Sequence, residues 1–285
     1  MPAGALYVVA TPIGNLADLT LRAVAVLHRV DAVACEDTRV TGVLLAHLGL
    51  AKPRISLHEH NEREASARVI DRLARGERVA YVSDAGTPAL SDPGAMLVEA
   101  VRAAGHRCVP IPGASSVAAA LSVAGDAAAS GFAFVGFAPP KAGERRTWLD
   151  ALVQRLAETL VIFEAPHRMP ALAAELAVAM PLRRITVARE LTKQFEQIET
   201  LEVSTLPAWL QADANHRRGE FVLVLHAQPA APAGALDAAA ERALAVLLPA
   251  LPLKQAVSLA AAISGAPRNA LYERALSLRS ESPAD

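Results

Sequence analysis

The sequence is short of the features that mark a secreted or membrane-spanning chain. It carries only two cysteines, Cys35 and Cys108, in 285 residues. Both fall inside apolar, strand-like runs, the surroundings of reduced buried thiols in a cytoplasmic protein rather than of a disulfide framework. Hydrophobic residues make up 53% of the chain, yet the longest apolar runs are broken by charge or proline before 18 residues, so no segment is expected to span a bilayer. The N-terminal MPAGALYVVATP lacks a basic start and a full apolar core, and no signal peptide is expected. A net charge of −1 argues against indiscriminate nucleic-acid binding through a uniformly basic surface. Local basic clusters do occur, at Lys141–Arg146, at Arg183-Arg184 and at His216–Arg218, and each reads as a solvated patch or as a phosphate contact.

Familiar ligand motifs are missing too. Neither the dinucleotide pattern G-x-G-x-x-G nor the phosphate loop G-x-x-x-x-G-K-[ST] is present, and there is no nucleophile elbow G-x-S-x-G. Without a phosphate-cradling glycine loop, a sugar-phosphate enzyme is disfavoured. His58-Glu59-His60 lacks a third ligand at a recognisable spacing, so no metal site is expected.

What is present is regular alternation. Strand-like runs at 5–10, 31–35, 54–57, 78–83 and 107–111 are separated by helical patterns at about 20–29, 40–48, 61–75 and 94–104, with another at 114–124. This predicts a mostly parallel sheet covered on both faces. A second set follows, with strands at 132–137, 159–164, 184–189, about 195–202 and 220–226, and helices at about 144–157, 167–179 and 205–212. The segment DAAASG (126–131) reads as a hinge between two α/β domains, 1–125 and 126–227. After the Pro/Ala linker QPAAPAGA (228–235), residues 236–278 show only helical patterns, within a tail unit of 236–285. Gly265 stops one helix and Pro267 starts the next, which reads as a helix-turn-helix or as a plain helical cap.

In open α/β sheets, ligands bind beyond the carboxyl ends of the strands. Here polar segments follow all five strands of the first set: Thr11–Asn15, Glu36–Arg39, His58–Asn61, Ser83–Gly94 and Pro112–Ser116. Five polar loops at one edge predict a lined cleft. Within the longest of them, Ser83-Asp84-Ala85-Gly86 and Ser91-Asp92-Pro93-Gly94 are near-copies. The second reads first as a helix start, with Asp92 as N-cap and Pro93 at the first helical position, and otherwise as a direct ligand contact.

The ordered motifs TPIGNLADLTLRAV, CEDTRVTG, SLHEHNE, VSDAGTPALSDPG, PIPGASS, FEAPHR, ARELTK and RRGEFVLV resemble the ribosomal small subunit methyltransferase I family. That family lies within the tetrapyrrole methylase, or class III methyltransferase, superfamily. The resemblance runs from about Leu6 to Leu225, and LPLKQAV…NALYERAL is similar to the family's helix-turn-helix tail. It implies S-adenosylmethionine as methyl donor, bound between two α/β domains. The acceptor it implies is the 2′-hydroxyl of a cytidine in 16S ribosomal RNA near the decoding centre, in free RNA or the 30S subunit. A homodimer is implied as well. Carried over residue by residue, the donor-binding positions are Pro12, Ser83, Asp84, Ala85, Gly86, Thr87, Leu90, Ser115, Ser116, Phe163, Glu164 and Leu191, and Gly219-Glu220 has a weaker claim. The donor loop departs from the superfamily's Gly-Asp-Pro in reading Ser83-Asp84-Ala85-Gly86. Phe163 is equally read as core packing.

A ribose hydroxyl is a weak nucleophile and gains from a base at the 2′-oxygen. Glu36 and Asp37 are the candidates, with Lys193 able to act only if its pKa is depressed, and Glu36 and Lys193 are expected at the acceptor. Glu36 and Asp37 also read as partners of Arg39. Asn15, Arg39, His58 and Asn61 are candidate RNA contacts because they follow strand ends beside the donor loop. Two other readings stay open: a non-catalytic RNA-binding assembly factor, and a tetrapyrrole C-methyltransferase of the same superfamily.

Overall fold

The computed structural model describes residues 1–58, 61–228 and 238–281. Glu59, His60 and most of the 228–235 linker therefore lie outside the described residues. The chain divides into two compact units, Met1–Gln228 and Pro229–Asp285.

Five parallel strands form the first sheet: β1 (Ala5–Val9), β2 (Ala32–Cys35), β3 (Arg54–Ser56), β4 (Val79–Val82) and β5 (Arg107–Ile111), in the order β3-β2-β4-β1-β5. Helices α1 (Leu21–Arg29), α2 (Thr38–His47), α3 (Glu62–Ala74) and α4 (Ala95–Ala103) connect them, and α5 (Ser116–Ala124) follows β5. Alternation along each strand divides the core. Tyr7, Val33 and Val82 pack with Val26 and Leu27 of α1, while Leu6, Ala34 and Tyr81 pack with Val69 of α3 and Leu97 of α4. Burial on both faces explains why these strands read as unbroken apolar runs.

The second sheet holds β6 (Phe132–Phe137), β7 (Thr159–Glu164), β8 (Arg184–Arg189), β9 (Gln197–Glu202) and β10 (Phe221–Leu225), in the order β6-β7-β10-β8-β9. Only the β6–β7 pair is parallel; β10 runs antiparallel to both of its neighbours, and β9 to β8. One face packs against α6 (Ala142–Val153), α7 (Met169–Ala179) and α8 (Leu206–Ala212). The other face is covered by α5, whose Val117, Ala120 and Ala124 meet Val161, Val222 and Val224. Thus α5 follows the last strand of one sheet and packs on the other, which fixes the two sheets around a common cleft.

In the C-terminal unit, α9 (Ala238–Leu247), α10 (Leu253–Ser264) and α11 (Arg268–Glu281) bury Leu244, Val257 and Leu271 among one another. Gly265 caps α10 with φ 73° and donates to the Ala261 carbonyl, so the expected glycine stop is present. No helix of the described residues is long and apolar enough to cross a membrane.

Candidate functional site

Because β1 lies between β4 and β5, the loops after these three strands emerge side by side, the situation in which doubly wound sheets bind ligands. Two loops are tied directly. The Thr11 N–H donates to Gly86 O at 2.9 Å and the Gly86 N–H to Thr11 O at 3.0 Å. The Thr11 hydroxyl donates to Ser83 O, and the Thr87 hydroxyl reaches Ala114 O at 3.0 Å, joining the third loop.

A cleft of about 350 Å³ opens between these loops and the second sheet. Nine of the expected donor-binding residues line it: Ala85, Gly86, Thr87 and Leu90 from the loop after β4, Ser115 and Ser116 at the start of α5, and Phe163, Glu164 and Leu191 from the second sheet. The Ser115 hydroxyl caps α5 by accepting from the Ala118 N–H. Three further expected residues, Pro12, Ser83 and Asp84, instead line a separate cavity of about 330 Å³, while Ile13 faces the cleft. The Ser83 hydroxyl turns into its own loop, donating toward Ala85 O and Gly86 O.

The cleft walls are strained and polar where they are buried. Among the described residues, the four non-glycine positions with positive φ are Ala89, Ser91, Glu190 and Thr192, all in the two loops beside the cleft. Such geometry costs about 1–3 kcal/mol per residue and concentrates at ligand clamps. Glu164 is 2% exposed. Its Oε1 accepts from the Ala165 N–H at 2.8 Å and pairs with Arg168 at 3.1 Å, whereas its Oε2 is buried with no hydrogen-bond partner. Burial pushes the Glu164 carboxyl up despite the Arg168 charge. Phe163 makes edge-to-face contacts with Phe134 and Phe137, so it is both packed and cleft-lining.

Asp92 does not cap α4; the N-cap is Gly94, with φ 115°, and the Glu62 carboxylate takes the Gly94 N–H at 2.9 Å. Asp92 and Ser91 line the cleft instead. The near-copy is therefore part of the site wall. Asp92 is pushed up by burial and by the Asp84 charge, against the Ser83 hydroxyl.

Glu36 lies among the acidic residues of this edge without lining either cavity. Burial, reinforced by Asp84, Asp92 and Asp37, holds its carboxyl above the ordinary range. Asp37, not Glu36, is the partner of Arg39, with Nη2 to Oδ2 at 2.6 Å, and that bond draws Asp37 down to about 2. Lys193 fails the condition set for a base. Burial acts to lower its pKa, but bonds of 2.9 Å to Glu190 and 3.1 Å to Glu220 outweigh it and raise the value. Lys193 is therefore held as a cation, its stem so close to Gly14 that a Cβ there would come within 2.4 Å of Lys193 Cγ.

The expected RNA contacts are dispersed. Asn15 caps a short 3₁₀ turn through the Ala17 N–H. Asn61 spans its own loop, accepting from the His58 N–H and donating to Ser56 O. His58 and Asn61 follow the edge strand β3, separated from β4 by β2. Arg39 is exposed at the start of α2. Sequence reasoning missed Phe137, which enters the cleft where the β6–β7 register shifts between Phe134 and Gly136. The glycine inside FAFVGF was the available signal for a bulge.

A family model described as Tetrapyrrole (Corrin/Porphyrin) Methylases matches residues 5–207, and one described as the RsmI C-terminal HTH domain matches 234–279. The chain is 49% identical over 278 residues to ribosomal RNA small subunit methyltransferase I of Neisseria meningitidis serogroup A, covering 98% of this chain and 95% of that one. It is 48% identical to the protein of the same name from Pseudomonas aeruginosa, covering 99% and 100%. Among solved structures, it resembles a uroporphyrin-III C-methyltransferase from Thermus thermophilus complexed with S-adenyl homocysteine, with TM-score 0.54, 20% identity and coverage of 78% and 97%. A cobalt precorrin-4 methyltransferase gives TM-score 0.58 at 19% identity, over 79% and 97%. At these identities the structural likeness shows the fold.

Proposed function

Because the chain belongs to the ribosomal RNA small subunit methyltransferase I family, we propose that it moves a methyl group from S-adenosylmethionine to the ribose 2′-hydroxyl of a cytidine in 16S ribosomal RNA near the decoding centre, working in the cytoplasm. The observation that carries the reading at the site is the cleft itself: strained loops, an orphaned buried carboxylate oxygen and apolar walls meet at the carboxyl ends of the strands.

The residues present fit such a donor. Phe163, Leu191 and Val222 offer apolar surface to a planar base, and the unpartnered Glu164 Oε2 awaits a polar partner. Ser115 and Ser116 begin a nine-residue helix whose free N–H groups suit a carboxylate. Gly86, at φ 78°, lets backbone approach closely; a Cβ there would meet Ile13 Cγ2 at 3.2 Å. When bound, the sulfonium supplies an electrophilic methyl group.

In-line displacement demands alignment first, and orientation supplies about 7–11 kcal/mol in favourable cases. For the base we propose Glu36, which lies on the edge that carries Asp84 and Asp92 and whose carboxyl is held up by burial and by these acidic neighbours. Lys193 stays charged and anchors its loop against Gly14, its ammonium held between Glu190 and Glu220. Incubation with labelled donor and either free 16S RNA or 30S particles tests the proposal.

A further inference from the structure

We propose that the second cavity, of about 330 Å³, is a nucleobase slot that receives the unstacked base of the acceptor nucleotide and favours a base with an exocyclic amino group. The inference rests on the RNA methylation proposed above. Three observations meet here.

First, the slot lies back to back with the donor cleft. The paired segments around the Thr11–Gly86 bridge line both, with Ile13, Ala85 and Gly86 facing the cleft and Pro12, Gly14 and Asp84 facing the slot. Only this bridged pair of segments is shared between the two cavities, which makes the slot a neighbour of the donor cleft.

Second, the walls are aliphatic: Pro12, Leu16, Val40, Val43 and Leu44. Three of them are left in solvent at the mouth, with Leu16 and Val40 each 44% and Val43 68% exposed. Apolar surface of this kind, open and unpartnered, suits the faces of a base, and a base inside a duplex cannot reach it.

Third, the polar groups in the slot are under-used. The Thr41 hydroxyl is 3% exposed and has no hydrogen-bond partner, only the weak Cys35 thiol beside it. Asp84 is exposed at the slot; its Oδ1 accepts the Asp37 N–H at 3.0 Å, which leaves Oδ2 open to solvent or to a ligand. A carboxylate oxygen accepts from the amino group of cytosine or adenine but not from the carbonyl that uracil presents there. Asp84 therefore reads the base, which separates it from the donor-binding set.

The test uses the full chain loaded with S-adenosylhomocysteine. Saturation-transfer NMR with millimolar cytidine is expected to show contact at the base protons H5 and H6. Val43→Trp, which fills the mouth from an exposed position, abolishes that contact while calorimetric affinity for S-adenosylhomocysteine stays the same. With 30S particles, Val43→Trp raises the KM for RNA roughly tenfold, the loss of one base contact, and leaves the donor KM alone. Asp84→Asn removes the preference for cytidine over uridine in the NMR measurement. No cytidine contact in the wild type, contact that persists in Val43→Trp, or a parallel fall in S-adenosylhomocysteine affinity overturns the slot. Slot-dependent cytidine contact in a protein that transfers no methyl to RNA supports the slot and contradicts the proposed function instead.

Discussion

Thr11 and Gly86 exchange both backbone hydrogen bonds, at 2.9 and 3.0 Å, in an isolated antiparallel bridge that joins the loop after β1 to the loop after β4. Gly86 holds its half at φ 78°. Gly86→Val places a branched side chain in left-handed geometry, against Ile13 and at the cleft wall. It is expected to cost about 1–2 kcal/mol of stability and to weaken S-adenosylmethionine binding more than tenfold, as about 1.4 kcal/mol or more. Isothermal calorimetry beside thermal melting checks both, and full donor affinity in a folded variant would remove Gly86 from the cradle.

Gly94 makes a second close approach. Its Cβ would lie 2.2 Å from Tyr81 Cε1, and the Tyr81 hydroxyl already donates to Pro93 O at 2.5 Å. Gly94→Ala must therefore displace the buried Tyr81 ring, at about 1–3 kcal/mol. Glu62→Ala removes the cap on the Gly94 N–H and costs about 1 kcal/mol. Urea titration measures both losses.

These two glycines mark the limit of what local sequence shows. Asp-Pro-Gly before an apolar helix is a good local cap signal, and nine of the ten strands were legible from their apolar runs, whereas the half-exposed β9, QIETLE, could be placed only to about 195–202. The cap that α4 uses, however, comes from Glu62 on another helix, and no local rule finds it. The same holds for Lys193, whose charge is settled by Glu190 and by Glu220, 27 residues away in sequence. Of the nine cleft-lining residues that the family resemblance singled out, seven follow strand ends and Phe163 and Glu164 close β7, so strand position and resemblance point to the same edge. The division of the cleft from the slot depends on a cross-loop bridge, and α5 crosses from one sheet to the other; neither leaves a periodicity in the sequence.

Glu36 carries the pH prediction for activity. Its carboxyl is raised by burial and by Asp84, Asp92 and Asp37, so it binds a proton at a higher pH than an ordinary glutamate. The rate of methyl transfer should fall as pH drops through that raised value, above 4.5. Glu36→Gln should lower kcat by about 10²–10⁴-fold with donor affinity unchanged and should erase this limb. Single-turnover rates across pH decide it; a variant of normal turnover places the base elsewhere.

His226 carries the pH prediction for stability. It is 3% exposed, its Nε2 lies 2.7 Å from the Thr186 hydroxyl, and burial depresses its pKa below 6.5 despite the Asp126 charge. The unfolded chain then binds more protons than the folded one between the depressed value and 6.5, so stability is full above 6.5 and falls as pH drops through that window. Urea unfolding midpoints should decline from pH 7 to pH 5, and His226→Gln should flatten the decline. An unchanged slope would assign it to other groups.

The most direct measurement incubates the protein with methyl-labelled S-adenosylmethionine and 30S particles lacking the modification, then maps the label by nuclease digestion and mass spectrometry. The account predicts one labelled site, a 2′-O-methylcytidine in 16S RNA, lost in Glu36→Gln. Label on a base carbon or nitrogen, or no label in the 30S particles, would contradict it.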